Sequence, residues 1–252
     1  MEAEASWTQA EMLACIIARE LRDGETVGVG AASPVPAAAA LLARASHAPT
    51  LCPLIIGSPA HFPFRGGSKE FFDFAQRGGL DVFFLSGAQI DLRANINLHC
   101  IGPYEAPSVR LPGARGSAML YYMARRTILF RTEHTPRVFV PRVDFITSPG
   151  ASSAGVFRRG GPDKVITPLL TFRFNQQAGE LELAGLHPGV SLDAARAQTG
   201  FPLRWQGGEA PRVAPPTAEE LAVLRERVRD ELAPIYPRFA AGQIKAPHAA
   251  QP

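Results

Sequence analysis

Apolar residues at helical spacing alternate with short apolar runs over the first half of the chain. Thr8 and Glu11 have the spacing of a capping box, and the apolar residues behind them predict a helix that Gly24 closes. Pro34 opens a second, alanine-rich helix that is predicted to end near Arg44, since proline is tolerated in the first helical turn. Each of these helices precedes a run of apolar residues.

The apolar runs predict buried strands, because they are short and bounded by turn residues. In the first half of the chain they cover residues 26–30, 51–56 and 82–85. In the second half, short apolar runs at 128–130, 138–140 and 143–146 predict further strands. A loop is predicted at 148–164, and a hairpin is predicted from 169–174 and 181–183. A short helix capped by Ser68 is predicted before the third strand. Another helix is predicted behind the capping box of Thr217 and Glu220.

The alternation of strand, turn and helix predicts an α/β fold. We expect a mainly parallel sheet flanked by helices, with a C-terminal antiparallel section. At 252 residues the chain is long enough for a sizeable core. We expect a single domain over residues 1–241 and a disordered tail over 242–252.

Composition narrows the class of protein. Hydrophobic residues make up 46% of the chain and charged residues 19%, which is typical of a globular enzyme. No apolar stretch reaches membrane-spanning length, and the acidic start is a poor leader sequence, so a cytoplasmic protein with no membrane contact is expected. Cys15, Cys52 and Cys100 are widely spaced among apolar neighbours, which predicts reduced core thiols and no metal site.

The net charge of +3 comes almost entirely from arginine, with 23 Arg against 3 Lys. A GC-rich genome explains this bias. The alternative is that arginines bind an anionic, phosphate-bearing ligand, for which the guanidinium group is suited. The arginines are spread along the chain and are not concentrated on one helix with interleaved aromatic residues, so nucleic-acid binding is not expected.

Four amide or carboxylate side chains follow the predicted strand at 82–85, namely Gln89, Asp91, Asn95 and Asn97. Burying them is costly unless each finds a hydrogen-bond partner. Open α/β sheets bind ligands at the carboxyl ends of their strands, so this polar cluster is a candidate pocket. The alternative is a polar turn that satisfies its own backbone.

Gly28 and Gly30 stand where a predicted strand turns into a helix. Backbone N–H groups at such a turn can meet an anion or a carbonyl oxygen, because the start of a helix carries partial positive charge. The pattern is not a dinucleotide fingerprint, since its third glycine is missing and Pro34 removes one donor. An ordinary turn is the alternative.

Gly113 and Gly116 flank Arg115, and Ser117 leads into a predicted helix at 118–124. This glycine loop would let the backbone approach a ligand closely while the guanidinium group supplies a fixed charge. The alternative is a glycine-rich turn with a solvated arginine.

Two histidines, His99 and His187, are candidates for general bases. His99 lies in an apolar run, and His187 comes before a predicted turn. Both are predicted to be hydrogen-bonded structural residues rather than general bases.

The stretch from Ser86 to Gly150 resembles the β subunit of class I CoA-transferases of the glutaconate type. The matching segments are Gly87-Ala88-Gln89-Ile90-Asp91, Asn95-Ile96-Asn97, Ile101-Gly102, Arg110 with the glycine turn behind it, and residues 143–150. The resemblance implies a layered fold of the NagB/RpiA type and a similarly folded α subunit as partner, in a heterodimer or heterotetramer. It also implies an acyl-CoA bound between the subunits, with coenzyme A as part of the substrate and no further cofactor.

The chain departs from the transferases where their catalytic glutamate belongs. In transferases that this sequence resembles, a glutamate at the end of the second strand attacks the thioester and carries coenzyme A covalently. Here that stretch, residues 54–59, reads Leu-Ile-Ile-Gly-Ser-Pro, and no Asp or Glu occurs between Glu25 and Glu70. This departure puts transferase activity in doubt.

A second departure concerns Arg115, where glutaconate-type transferases have a glycine. The form Gly-x-Arg-Gly-Ser is similar to β subunits of the steroid-degradation branch. Those enzymes lack the transferase glutamate and hydrolyse a carbon–carbon bond of a cyclic acyl-CoA, with an α-subunit glutamate as base and the β-subunit arginine assisting at the substrate. The resemblance therefore implies a ring-opening acyl-CoA hydrolase.

The expected site residues follow from the local sequence patterns and from the family resemblance. Arg115 is the predicted catalytic residue, and the predicted substrate-binding or CoA-binding residues are Gly28, Gly30, Gln89, Asn95, Asn97, Gly113, Gly116 and Ser117. One alternative is a CoA-transferase whose nucleophile is Glu105, Glu70 or a residue of the partner. Another is a non-catalytic subunit that only completes the partner's pocket. The acyl group stays open.

Overall fold

The structure is a computed structural model that describes residues 7–246. Its helices are α1 (Gln9–Ala18), α2 (Pro34–Ser46), α3 (Ser68–Gln76), α4 (Ser117–Met123), α5 (Leu192–Ala197), α6 (Ala218–Val223), α7 (Arg229–Leu232) and α8 (Pro237–Gln243), with a π-helical turn (Leu224–Val228) between α6 and α7. Its strands are β1 (Thr26–Val29), β2 (Cys52–Ile55), β3 (Val82–Leu85), β4 (Gln89–Ile90), β5 (Ile96–Asn97), β6 (Cys100–Ile101), β7 (Val109–Arg110), β8 (Arg126–Phe130), β9 (Pro162–Ile166), β10 (Leu170–Asn175) and β11 (Glu180–Leu186).

The chain divides into two compact units, one formed by residues up to 65 and from 215 onward, the other by residues 66–214. A single domain over 1–241 stays a prediction.

The first unit begins with a helix whose start the sequence predicts. Glu11 N donates to Thr8 Oγ1 at 3.1 Å and Thr8 N donates to Glu11 Oε2 at 2.8 Å, so the capping box is complete. The helix α1 is buried along almost its whole length and packs against α2. It ends at Ala18, earlier than predicted, and Gly24 lies in a later turn with φ of 77°. Beyond α1, strands β1 and β2 pair in parallel.

Glu11 also forms a buried ion pair. Arg225, in the π-helical turn, donates from Nε to Glu11 Oε1 at 2.7 Å and from Nη2 to Oε2 at 3.0 Å. Burial opposes ionisation of Glu11, but hydrogen bonds from Arg225 and from the backbone of Thr8 and Lys245 outweigh it, so the pKa of Glu11 lies below its ordinary value. This pair joins α1 to the C-terminal helices of the same unit.

In the second unit, strand pairing runs from β3 through β8, β9 and β10 to β11. The pairs β3–β8 and β8–β9 are parallel, whereas β9–β10 and β10–β11 are antiparallel. Two small antiparallel pairs, β4–β5 and β6–β7, follow β3. Together with the parallel pair β1–β2, this confirms the predicted mainly parallel sheet with a C-terminal antiparallel section.

Two predicted strands are wrong. Residues 138–140 make only an isolated bridge, from Phe139 to Ile90, and residues 143–146 form no ladder in this part of the described chain. Asp144 N donates to the Gln89 side chain at 2.9 Å instead of to a neighbouring strand. Apolar composition predicted strands here, but the N–H groups of Val138 and Phe139 donate to Thr135 O in a local turn, and those of Val143 and Asp144 donate to side chains.

Three smaller predictions also need correction. Strand β9 begins at Pro162, inside the predicted loop over 148–164, because its polar first residues hide the strand pattern. Gly67, with φ of 68°, occupies the cap position of α3, and Ser68 is the first helical residue. Cys52 is exposed at the first position of β2, so of the three free thiols only the other two are buried.

The predicted disordered tail over 242–252 begins too early. The helix α8 extends to Gln243, Ile244 is buried, and Lys245 N donates to Glu11 Oε1 at 2.9 Å. These contacts order the chain through this point. Residues 247–252 lie outside the described residues.

His134 and His187 are buried between the C-terminal strands and their loops. His134 Nδ1 and Nε2 lie 2.8 and 2.9 Å from the hydroxyls of Thr167 and Thr199, and His187 Nε2 lies 2.9 Å from Thr171 Oγ1. Desolvation, joined for His134 by the neighbouring His187, lowers the pKa of each imidazole to about 4. Both rings are therefore neutral, structural groups, as predicted for His187.

Acid is expected to destabilise this part of the fold. Below pH 6.5 the unfolded chain protonates histidines that the folded chain keeps neutral until about pH 4, so stability falls with pH across this window. Near pH 5 the loss is roughly 2 kcal/mol for each histidine. Urea unfolding near pH 7.5 and near pH 5, in the wild type and in His134→Gln, measures it. The variant should lose roughly 2 kcal/mol less than the wild type. An equal loss would contradict the assignment.

Candidate functional site

The polar cluster behind β3 is organised by two side chains that accept backbone hydrogen bonds. Asp91 Oδ1 accepts from Arg93 N at 3.0 Å and from Asn95 N at 3.1 Å, while Oδ2 accepts from Asn95 Nδ2 at 3.1 Å. Asn95 Oδ1 in turn accepts from Gly150 N at 3.0 Å. Gly150 is required there, because a Cβ would lie 2.0 Å from Arg93 O. Asp91 and Asn95 thus hold the turn after β4 against the loop at Gly150.

Gln89 and Asn97 form a second buried network on β4 and β5. Asn97 Nδ2 donates to Gln89 Oε1 at 2.7 Å and to Cys100 O at 2.6 Å, and Gln89 Nε2 donates to Asp144 Oδ2 at 3.0 Å. Asp144 N returns a bond to Gln89 Oε1 at 2.9 Å. Every polar atom of these two amides has a protein partner among the described residues. Gln89 and Asn97 therefore brace the loops around β4 and β5. This agrees with the alternative interpretation of the cluster, a polar turn that satisfies its own hydrogen bonds.

A cleft of about 530 Å³ opens beside the first of these networks. Asp91 and Asn95 lie on its wall, together with two exposed arginines, Arg93 and Arg142. The remaining lining carboxylate, Glu180, is paired with an arginine outside the cleft. The lining thus has two arginines and two carboxylates, and Arg93 and Arg142 are the groups that can contact an anionic ligand.

The glycine loop before α4 has an unusual backbone. Gly113 has φ of 86° and Arg115 has φ of 50°, so a non-glycine residue adopts the left-handed conformation. Left-handed backbone costs a non-glycine residue about 1 kcal/mol. Gly116 is needed for space, because a Cβ there would lie 2.2 Å from the Phe72 ring. Ser117 N and Oγ both donate to Ala114 O, so the serine hydroxyl closes the turn.

Arg115 is exposed, and no hydrogen bond or ion pair joins its side chain to a described residue. A guanidinium group held on a strained turn without a protein partner is available for a ligand. According to the resemblance, the glutaconate-type transferases have glycine at this position. Glycine adopts a left-handed backbone conformation without strain. Arg115 thus adds a charge to a turn whose shape suits glycine.

Gly28 and Gly30 belong to the other compact unit. Gly28 is buried within β1 and pairs with Leu54 of β2, so it is part of the strand and not of the turn. Gly30 follows the strand and is half-buried, and its carbonyl lies 3.4 Å from the Tyr236 hydroxyl. Ser33 precedes α2 without capping it through its side chain. Of the two glycines, Gly30 is the one that lies in the turn between β1 and α2.

The segment after β2 carries no carboxylate of its own. Ser58 is buried and its Oγ accepts from His61 N at 3.2 Å. His61 Nε2 lies 3.1 Å from Glu231 Oε1, and Glu231 is also bonded to Arg44. Burial and Arg44 lower the pKa of His61, against the opposing effect of Glu231. Glu231 therefore reaches the chain just beyond β2, although it is already bonded to two groups.

No local pattern in the sequence indicated the contact between His61 and Glu231, because Glu231 lies far along the chain on α7.

The two glutamates named as alternative nucleophiles, Glu70 and Glu105, are both exposed. Glu70 accepts from Gly66 N at 2.8 Å at the start of α3, and Glu105 lies in the turn between β6 and β7.

Comparison with known proteins identifies the family. Residues 54–197 match the family model described as Coenzyme A transferase. The second, β-type subunit of the 3-oxoadipate CoA-transferase of Pseudomonas knackmussii is 31% identical to this chain, over 88% of the chain and 93% of that protein. The chain belongs to the coenzyme A transferase family. The resemblance stated from the sequence is confirmed.

Relatives with a different activity also match. The cholesterol ring-cleaving hydrolase IpdB subunit of Rhodococcus jostii is 31% identical over 65% of this chain and 64% of that protein. The solved glutaconate CoA-transferase of Acidaminococcus fermentans matches with a TM-score of 0.80, covering 97% of this chain and 100% of that chain at 24% identity. That match confirms the fold of this CoA-transferase family member.

Membrane-spanning helices and metal-binding clusters are both absent over residues 7–246. Within this range, none of the helices combines the length and apolar character that crossing a membrane requires. Over the same residues, no three His, Cys, Asp or Glu side chains come together in a way that could hold a metal ion.

Proposed function

We propose that this chain is the β subunit of a heteromeric acyl-CoA enzyme that opens a steroid-derived ring by hydrolysing a carbon–carbon bond. The observation that carries the proposal is the segment after β2, where residues 56–59 offer no carboxylate to attack a thioester. The exposed guanidinium of Arg115 on the glycine loop adds support. Two relatives with these different activities, a transferase subunit and a ring-cleaving hydrolase subunit, make both chemistries accessible to the family.

The hydrolytic step needs stabilisation of negative charge rather than a covalent carrier. Water adds to a ring carbonyl and loses a proton to a base, the bond to the neighbouring carbon breaks, and that carbon leaves as an enolate that takes up a proton. The products are a carboxylate and an intact CoA thioester. In this proposal Arg115 stabilises the developing negative charge, and the backbone N–H groups of its loop assist. The base would come from the partner subunit.

The remaining predicted residues have supporting roles in this proposal. Gln89 and Asn97 hold the loops, and Asn95 does so while lying on the wall of the cleft. Gly113, Gly116 and Ser117 shape the loop that carries Arg115. Gly28, buried within β1, and Gly30, just after it, belong to the other compact unit and stay predictions from the sequence. Coenzyme A enters as part of the substrate, and no other cofactor is proposed.

Mass spectrometry of the complex with its partner subunit tests the proposal. After incubation with acyl-CoA in water labelled with oxygen-18, we expect label in the new carboxylate, an intact thioester, and no CoA-sized mass increase on this chain. Hydroxylamine or borohydride should not inactivate the complex, because no glutamyl thioester forms. A CoA adduct on this chain would overturn the proposal, and peptide mapping would then locate it at Glu70, Glu105 or Glu231.

Two alternatives give different results in the same system. A CoA-transferase would need a second carboxylic acid as acceptor and would show ping-pong kinetics. A non-catalytic subunit would tolerate replacement of Arg115, Gln89 and Asn97 together, so long as the heteromer forms.

A further inference from the structure

His99 is joined to the glycine loop by backbone hydrogen bonds. Leu111 N donates to His99 O at 2.9 Å, and Gly113 N donates to Leu98 O at 2.9 Å. The imidazole lies over the first glycine of the loop, since a Cβ on Gly113 would be 3.7 Å from His99 Nε2. The ring is half-buried and packs on Phe145 with centroids 4.5 Å apart. Its position relative to the loop is therefore fixed from two sides.

Thr147 is hydrogen-bonded to the Nδ1 side of this ring. Thr147 Oγ1 accepts from Leu98 N at 2.8 Å and lies 2.7 Å from His99 Nδ1. In one of the two possible arrangements, the threonine gives its own hydroxyl hydrogen to Nδ1 while its oxygen accepts the backbone N–H of Leu98. A neutral imidazole that accepts at Nδ1 carries its hydrogen on Nε2. Nε2 has no hydrogen-bond partner among the described residues.

We infer that His99 contacts the substrate: its Nε2–H donates a hydrogen bond to the oxygen on which negative charge develops, the thioester carbonyl or the enolate. This inference rests on the proposed function, because it places the acyl-CoA at the loop of Arg115. His99 supplies a hydrogen-bond donor, and Arg115 supplies the charge. Thr147 acts through His99 and is a positioning residue. Gly113 itself is required by its φ of 86°, which residues with a side chain rarely adopt.

Two variants separate this role from a structural one. Asn in place of His99 keeps a polar group near Thr147 but loses the donor toward the loop, whereas Gln extends its amide toward the position of Nε2. We expect His99→Asn to lower kcat about 10- to 100-fold with KM little changed, since a hydrogen bond to a charged group is lost. We expect His99→Gln to recover most of that loss. Equal kcat in wild type and His99→Asn would overturn the inference.

A second measurement does not depend on which reaction occurs. Nitrogen-15 NMR of histidine-labelled protein in the complex, assigned with His99→Asn, should show hydrogen on Nε2 and a shift of that signal when acyl-CoA is added. A signal that does not move at saturating acyl-CoA would contradict contact. If the wild-type complex transfers CoA instead of hydrolysing the ring, the proposed function fails, and the variants are compared in the transfer reaction. The two failures are thus distinguished.

Discussion

Arg115→Ala is expected to lower the turnover of the complex about 10²- to 10³-fold, the loss that follows removal of one group stabilising an oxyanion. The guanidinium group has no protein partner among the described residues, so its removal leaves no buried group unpaired. We therefore expect the free energy of unfolding to change by less than about 1 kcal/mol. Steady-state kinetics and urea unfolding of the same preparation measure the two quantities.

Three companion variants sharpen that result. Arg115→Gly removes the guanidinium and also relieves the left-handed strain, so activity should fall while stability is kept or raised. Arg115→Lys keeps the charge but not the planar donor group, and we expect partial activity. Arg196→Ala, on an exposed arginine of α5, is the matched control and should leave turnover unchanged. Full turnover in Arg115→Ala would show that the loop has no catalytic role.

Local signals allowed much of the fold to be predicted. The capping boxes at Thr8 and Thr217 both form, because a helix start depends on residues three apart in sequence. Continuous apolar runs such as residues 82–85 become buried strands for a similarly local reason. The strands β4 to β7 escaped prediction because each has two residues, too few for a periodic pattern.

The residues of the candidate site could be predicted from the sequence, but the hydrogen bonds between them could not. The sequence indicated the polar cluster, but its hydrogen bonds to Asp144 and Gly150 depend on tertiary contacts that no local pattern shows. The backbone of Arg115 could not be read from its neighbours, since arginine rarely adopts positive φ. His99 was predicted to be structural. Its bond to Thr147 fits that prediction, whereas its free Nε2 at Gly113 could be found only from the fold.

Glu11→Gln is expected to lower the free energy of unfolding by about 3–5 kcal/mol, because it leaves the guanidinium of Arg225 buried without a counter-charge. Both side chains are nearly inaccessible, with exposed fractions of 0% for Glu11 and 7% for Arg225. Urea unfolding near neutral pH measures the loss. In the wild type the stabilisation is present above the ordinary pKa of a glutamate and disappears as the pH falls through the lowered pKa of Glu11.

A double variant and an exposed pair serve as controls for this prediction. Glu11→Gln combined with Arg225→Met removes both charges, so it should cost less than the sum of the two single losses. Lys69→Ala breaks an exposed pair with Asp73 and should cost no more than about 0.5 kcal/mol. A loss of less than about 1 kcal/mol in Glu11→Gln would mean that water replaces the missing charge. The join between α1 and the C-terminal helices would then depend on apolar packing instead of on this ion pair.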